Sequence, residues 1–350
     1  MRADGVGMSV TMRDVARLAD VSIKTVSNVI NNYKYIRPET RQKVLEAIDQ
    51  LDYRPNLSAR SLRSGRSGVI GLIIPDLRNS YFAELAGSVM RAASRRGLSV
   101  LIEQVAGDRD SELAALRGLR SRIVDGLLYS VLALDQNDVG VLAEVGMPVV
   151  LLGERIFNGP TDHVTMANIV GARAATRHLV AIGRQRILVL GAHPGEIIGS
   201  AGLRLSGYRK ALDAAGIAYD ERLVRAAGTW HRRDGAEAMR AVLTDGVEFD
   251  AVFAFNDTLA LGAMRVMQEA GFQIPGDVAV IGFDDLEEAR YSLPTLSSIS
   301  PGREEIAETA IDMLMERIEG RDGSIAPREV ETPFELVVRE STGTGRYVDA

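Results

Sequence analysis

The sequence predicts an all-α helix-turn-helix head followed by an α/β body of two doubly wound parallel-sheet lobes. Three observations predict it. The first 66 residues carry helical apolar spacing interrupted by short polar turns. From Val69 onward, short β-branched runs alternate with amphipathic Ala- and Arg-rich stretches. Charge is also divided unevenly. Residues 1–66 hold 12 Lys+Arg against 7 Asp+Glu, a net of +5, and the rest of the 350 residues hold 29 against 40, a net of −11. A basic head on an acidic body suits a head that meets a polyanion; a solvated mixed-charge surface is the alternative.

In the head, Thr11 is a helix cap with Asp14 three residues on, as in a capping box, and Val15, Leu18 and Ala19 follow at helical spacing. Asp20-Val21 breaks the pattern. Ser22 caps a second helix with Val26, Val29 and Ile30 inward and Ile23, Lys24, Ser27 and Asn28 outward; Asn31-Asn32 stops it. After Arg37-Pro38-Glu39 a third helix runs through Val44, Leu45, Ile48 and Leu51. Pro55 ends it, Leu57 to Leu62 is a short helix-capable segment, and Arg63 to Gly68 reads as a linker.

In the body, the apolar runs are Val69–Ile74, Leu98–Ile102, Gly126–Tyr129, Pro148–Leu152, Ile187–Leu190, Ala251–Phe255 and Val278–Ile281. Continuous runs of this kind are strands buried on both faces, and so many over about 270 residues suit two lobes rather than one sheet. No repeat of fixed period and no low-complexity segment is present.

Composition excludes several classes. Apolar residues are 46% and charged residues 25%, ordinary for a globular protein. Zero cysteines exclude disulfide frameworks and thiolate metal sites. No apolar run reaches the roughly 18–20 residues of a membrane span, and the N-terminus has no signal-peptide core. A cytoplasmic protein without membrane contact is expected. The four histidines, at 163, 178, 193 and 231, show no ligand spacing, and neither a metal nor a cofactor is expected.

Helix, short turn, helix is the layout that places a second helix in a DNA major groove, though an ordinary three-helix bundle shares the spacing. Ser22-Ile23-Lys24-Thr25-Val26-Ser27-Asn28 offers the chemistry. Lys24 reaches guanine O6 and N7, Asn28 bonds a base or phosphate, and Ile23 meets a thymine methyl. The run Thr11 through Asn31 resembles the N-terminal signature of the lactose-repressor/galactose-repressor family of bacterial transcription regulators. The likeness continues through Thr40-Arg41-Gln42-Lys43-Val44, Tyr53-Arg54-Pro55-Asn56 and Ala59-Arg60-Ser61-Leu62, and at lower density to about residue 340.

That resemblance implies direct base readout by Ile23, Lys24 and Asn28, and phosphate contacts by Thr11, Ser22, Thr25, Asn31 and Thr40. Ser27, Asn56 and Ala59 complete the DNA-binding set. Many relatives carry Arg where Asn28 stands, so the operator differs there. Leu57–Leu62 becomes a hinge helix whose Leu62 wedges into the central minor-groove step, an unstacking of a few kcal/mol offset by contacts to bent DNA. The implied organisation is residues 1–56 for DNA binding, 57–68 for hinge and linker, 69–340 for effector binding and dimerisation, and 341–350 as a tail. The body would have the periplasmic-binding-protein-like fold, with lobe 1 about 69–166 plus 298–329 and lobe 2 about 167–297 plus 330–340.

Ligands of doubly wound lobes bind beyond the carboxyl ends of strands. The residues after the apolar runs include Asn79 and Phe82, Gly153-Glu154-Arg155, Asn256-Asp257 and Asp284-Asp285, with Arg204 and Trp230 in later segments. Carboxylates, an Arg, an Asn and aromatic rings suit a polyhydroxy ligand. Asn256-Asp257 and Asp284-Asp285 fit helix N-caps equally well, and Trp230 fits a core position. The resemblance implies effector contacts by Arg204, Trp230, Asn256 and Asp284, with Asn79, Phe82 and Arg155 from the first lobe. Gly153 stands where several sugar-binding relatives have Asp, and Pro301 and Arg303 stand where some offer Gln and an aromatic.

The expected function is a sequence-specific repressor, a homodimer on double-stranded operator DNA with a pseudo-palindromic site, released by a small sugar. No leucine heptad tail suggests a tetramer. A purine-corepressed regulator is the alternative. A sugar-processing enzyme or binding protein is the alternative of another class, although no Walker A, Gly-x-Ser-x-Gly or dinucleotide fingerprint is present.

Overall fold

The structure, a computed structural model, describes residues 10–30, 33–53, 66–105, 107–118, 124–320 and 326–343. The chain divides into two compact units, residues 1–67 and 68–350.

The first unit holds α1 (Met12–Leu18), α2 (Ile23–Ile30) and α3 (Pro38–Gln50). Asp14 fixes the start of α1 by accepting the Thr11 backbone N–H at 3.0 Å and its hydroxyl at 2.6 Å. Ser22 Oγ accepts the Thr25 N–H at 3.1 Å and so caps α2. Pro38 opens α3, where a missing N–H costs nothing. Val15, Ala16, Ala19, Val26, Val29, Val44, Ala47 and Tyr53 form the core, with Met12, Ile30, Ile48 and Leu51 against it. Leu18 and Leu45, counted in the apolar spacing, are instead 45% and 46% exposed. The inward stripe of α1 is Met12, Val15, Ala16 and Ala19, at i, i+3, i+4 and i+7, which leaves Leu18 on the flank. In α3 the stripe of Val44, Ala47, Ile48 and Leu51 leaves out Leu45 for the same reason.

The second unit runs β1 (Val69–Ile74), α4 (Ser80–Arg95), β2 (Ser99–Gln104), α5 (Arg109–Gly118), β3 (Leu127–Ser130), α6 (Val139–Ala143), β4 (Val149–Leu152), β5 (Asp162–Met166), α7 (Asn168–Ala181), β6 (Ile187–Ala192), α8 (Ser200–Ala214), β7 (Val224–Ala226), α9 (Arg232–Thr244), β8 (Ala251–Ala254), α10 (Asp257–Glu269), β9 (Ala279–Phe283), α11 (Glu287–Tyr291), β10 (Ser297–Ser300), α12 (Arg303–Ile318), β11 (Glu329–Thr332) and β12 (Glu335–Val337). The first sheet has the order β11-β5-β4-β3-β1-β2 and is parallel throughout. The second has the order β12-β10-β9-β8-β6-β7, parallel except at β12. Strands β3, β4, β6, β8 and β9 are buried along their whole length, as continuous apolar runs require when helices cover both faces.

The chain crosses between lobes after Met166, Ser300 and Thr332. Two of these crossings correct the expected boundaries. Residues 298–300, assigned to lobe 1, lie in β10 and pair with β9 of the second sheet. Residues 330–332, assigned to lobe 2, lie in β11 and pair with β5 of the first. Each strand is followed at once by a proline, Pro301 and Pro333. Proline cannot donate to a ladder, so both strands end there and the chain leaves its sheet.

β5 is held by a buried ion cluster. Asp162 accepts Arg317 Nε at 3.0 Å and Nη2 at 2.8 Å, and the Arg328 backbone N–H at 2.9 Å and Nη2 at 3.0 Å. Burial pushes its carboxyl up, but the two guanidinium groups outweigh this and hold it at about 2. Stability from this depressed acid is present above its ordinary 3.8 and is lost as pH falls through about 2. Asp162→Asn is expected to cost about 2 kcal/mol of unfolding free energy at neutral pH. It should also weaken the acid dependence of Tm. Equal melting of variant and wild type at pH 7 would contradict this.

Candidate DNA-reading helix and ligand cleft

On the head, the start of α2 presents Ile23 (39% exposed) and Lys24, both open to solvent. Ser22 and Thr11 are exposed at helix starts, while Thr25 and Thr40 are half-buried. Ser27 and Asn28, expected to face outward, are half-buried. They sit between the outer face and the Val26–Val29 stripe, at the flank of a helix only eight residues long. Asn31, Asn56, Ala59 and Leu62, and with them the expected hinge helix, lie outside the described residues.

In the body, one cavity of about 350 Å³ opens between the lobes at the carboxyl ends of their strands. Asn79, Phe82, Arg155, Arg204, Trp230, Asn256 and Asp284 all line it. Arg204 projects from α8 and is 2% exposed. Its Nε donates to Asn168 Oδ1 at 2.8 Å, its Nη1 to the Phe255 carbonyl, and its guanidinium lies 3.6 Å from the Phe283 ring centroid. Its Nη2 stands 3.6 Å from Asp284 Oδ1. Burial lowers its pKa, a tendency the Asp284 charge opposes.

Asp284 follows β9 with a positive φ of 108°, a strained conformation for a residue with a side chain. Arg303 fixes it there by donating to its backbone carbonyl. Burial pushes its carboxyl up to about 7, with Glu154 and Glu84 adding to the rise and Arg204 and Arg303 opposing it. Trp230 also has a positive φ, 65°. Its Nε1 donates to the Gly191 carbonyl at 3.0 Å, which fixes the ring on the cavity wall.

Capping and cavity lining coincide at two residues. Asn256 Oδ1 accepts the Leu259 N–H at 2.8 Å, capping α10, while its Nδ2 donates to the Trp230 carbonyl at 3.2 Å. Asn79 accepts the Tyr81 N–H at 3.2 Å at the start of α4. Asp257 and Asp285 belong to the framework. Asp257 accepts Ser298 Oγ–H at 2.6 Å and the Leu286 N–H at 2.8 Å, and Asp285 accepts Arg339 Nη2 at 2.5 Å.

The cavity holds further polar groups beside these, one of them Glu154 of the Gly153-Glu154-Arg155 segment. Glu154 is buried and accepts Ser200 Oγ–H at 2.6 Å across the cleft. His193 and Glu196 occupy the loop after β6, and reading that strand's carboxyl end as the others were read would have found them. Asn168 orients Arg204 from the start of α7, and no local pattern marks it. Among the described residues no group of three or more His, Asp or Glu is placed to hold a metal, and no helix is long and apolar enough to cross a membrane.

Residues 11–56 match the model of the bacterial regulatory proteins of the lacI family, and residues 67–340 match that of periplasmic binding proteins and the sugar binding domain of the LacI family. The HTH-type transcriptional repressor PurR of Histophilus somni is 33% identical over 338 residues, 95% of this chain and 99% of the relative. The ribose operon repressor of Escherichia coli is 34% identical over 309 residues, 88% and 93%. The lac repressor dimer bound to operator and the anti-inducer ONPF is 29% identical with a TM-score of 0.81, covering 96% of this chain and all of that one. With both parts matched in order, the chain belongs to the LacI family of bacterial transcription regulators.

Proposed function

We propose that this regulator is a repressor that binds a pseudo-palindromic operator as a dimer and leaves it when a small sugar fills the cleft. The observation that carries the sugar reading is Asp284. Its carboxylate is 3% exposed, lines the cavity, and has Arg204 at 3.6 Å as its closest charged partner. A polyhydroxy ligand supplies donors to this carboxylate, which accepts none from the described residues, and the Trp230 ring suits the C–H face of a sugar. The name of the ribose operon repressor agrees with this class. No step of bond making is assigned to the cleft: its carboxylates are tied to lobe closure and ligand orientation, and the protein is read as a regulator, not an enzyme. Its target places it in the cytoplasm.

A ligand shifts operator affinity only by its differential affinity for two states of the body. Contacts across the cleft provide those states. Glu154 meets Ser200, the Glu287 N–H donates to Glu84 Oε1 at 2.9 Å, and His231 meets Asp76 at 3.1 Å. The first lobe adjoins the head in sequence, so a change in lobe geometry bears on it directly.

Phe82 and Trp230 support a second reading, purine corepression. The two rings come from opposite lobes and both line the cavity, an arrangement able to hold a planar base. The HTH-type transcriptional repressor PurR is among the relatives of this chain. Trp230 is the only tryptophan, so a titration of the full chain with pentoses, hexoses, disaccharides and purine bases, followed by emission, tests both readings. A saturable response to one sugar, with loss of operator binding, is expected. A response to a purine with gain of operator binding would replace induction by corepression. Silence of the folded protein across the panel would overturn both.

A further inference from the structure

The loop between β6 and α8, residues 193–199, is a wall of the cavity: His193, Glu196 and Gly199 all line it. It is fastened at several points. His193 Nδ1 lies 3.0 Å from Glu196 Oε2, and its Nε2 lies 3.2 Å from the Gly228 carbonyl, in the segment that carries Trp230. Glu196 Oε1 accepts the Ala201 N–H at 3.2 Å, at the start of α8. From the facing lobe, Arg155 Nη1 donates to the Ile198 carbonyl at 3.3 Å and stands 3.4 Å from Glu196 Oε2. A Cβ on Gly199, whose φ is +119°, would come within 2.9 Å of Arg155 Nη1, so the loop backbone is seated directly against the opposite lobe.

Both imidazole nitrogens face acceptors. A neutral imidazole has one N–H and satisfies only one of them; the imidazolium satisfies both. We propose that this loop is a proton-operated wall of the effector cavity, fastened to both Glu196 and the Gly228 carbonyl when His193 is protonated and released from one of them when it is neutral. The charged groups facing His193 are Glu196 on its own loop and Arg155 from the facing lobe. The Trp230 ring lies 5.5 Å away, and Asp234 of α9 holds the Gly228 segment through the N–H groups of Thr229 and His231 at 3.0 and 2.9 Å. The Glu196 hydrogen bond raises the His193 pKa above its ordinary 6.5, with burial and Arg155 opposing, so the switch falls at a higher pH than for a free histidine. The inference rests on reading the cavity as the effector site, but its test needs no effector.

A protonated imidazole beside an indole quenches its emission, and Trp230 is the only indole. Emission of the ligand-free full chain is therefore expected to rise with pH along a transition whose midpoint lies above 6.5 and which persists in Asp284→Asn, the variant that removes the other group titrating near neutrality beside the ring. The transition persists in His231→Gln, disappears in His193→Gln, and moves down in Glu196→Gln, which keeps the histidine but removes the charge. A midpoint at or below 6.5, or a transition unchanged in His193→Gln, overturns the proposal. D-ribose, cellobiose and hypoxanthine then separate the two levels. Asp284 carries a pH dependence of its own, so the coupling is read against His193→Gln: relative to that variant, any ligand that binds should lose about fivefold in wild-type affinity between one pH unit below the midpoint and one above it, the worth of one hydrogen bond. The same pH dependence of affinity in wild type and His193→Gln overturns the coupling. Failure of all three to bind counts against the effector reading, and the ligand-free midpoint still decides the wall.

Discussion

Arg204→Met is expected to weaken effector binding by about a hundredfold or more while leaving operator binding intact. The side chain is placed by four different partners. Asn168, the Phe255 carbonyl and the Phe283 ring hold the guanidinium, and Asp284 balances its charge. Methionine keeps much of the length and stacking but leaves Asp284 without a cation inside the cleft. That carboxyl already sits at about 7, and losing Arg204 drives it higher, so at neutral pH the variant presents a neutral acid where the effector needs an acceptor. The body should still fold, because protonation removes the uncompensated charge. The measurements are effector titration by Trp230 emission and operator binding by fluorescence anisotropy. A variant that responds to effector as wild type does would remove Arg204 from the site. One that also loses operator binding would make it a structural residue of the body.

The same geometry sets a pH dependence in the wild type. Ligand hydroxyls donate to the ionised Asp284, so binding favours the unprotonated form. Affinity should fall as pH drops through about 7, approaching tenfold per unit below it, and Asp284→Asn should abolish that slope. Without ligand the linkage to folding has the opposite sense. The folded value lies above the ordinary 3.8, so this group's contribution to stability is complete below 3.8 and is lost as pH rises through about 7.

The sequence was most legible where one physical requirement dominates. Strands covered on both faces must be continuously apolar, so β1, β4, β6 and β8 stand out as runs. β10, Ser-Ser-Ile-Ser, does not. Ser297 and Ser298 are buried on hydrogen bonds to the Arg339 carbonyl and to Asp257, residues far away in sequence. β5, Asp-His-Val-Thr-Met, hides in the same way behind the ion cluster at Asp162. The cleft residues that follow a visible run, such as Asp284 after β9, were within reach of the rule that ligands sit beyond strand ends. Asn168 was not, because its part is to orient Arg204 from another helix. Local spacing likewise could not tell that Asn256 both caps α10 and lines the cavity, since one amide side chain does both.

Lys24→Ala is expected to cost specific operator binding about tenfold to a hundredfold per half-site and to leave non-specific DNA binding nearly unchanged. Lys24 is exposed on the first turn of α2, the end that Ser22 caps, where a side chain reaches a base edge ahead of the backbone. If the lysine reads guanine O6 and N7, selection from a randomised pseudo-palindromic pool will show relaxed preference at one base pair in each half. If it only neutralises a phosphate, affinity will fall uniformly across sequences and the salt dependence will shallow by about one ion per half-site. Asn28 sharpens the distinction. It lies four residues on, one helical turn along the same side, and an amide pairs two-pronged with adenine N6 and N7 where arginine pairs with guanine. Asn28→Arg should therefore move the preferred base at its position from adenine to guanine without shifting the half-site spacing, which dimer geometry sets. An unchanged selected sequence would assign Asn28 to the phosphates and leave base readout to Ile23 and Lys24.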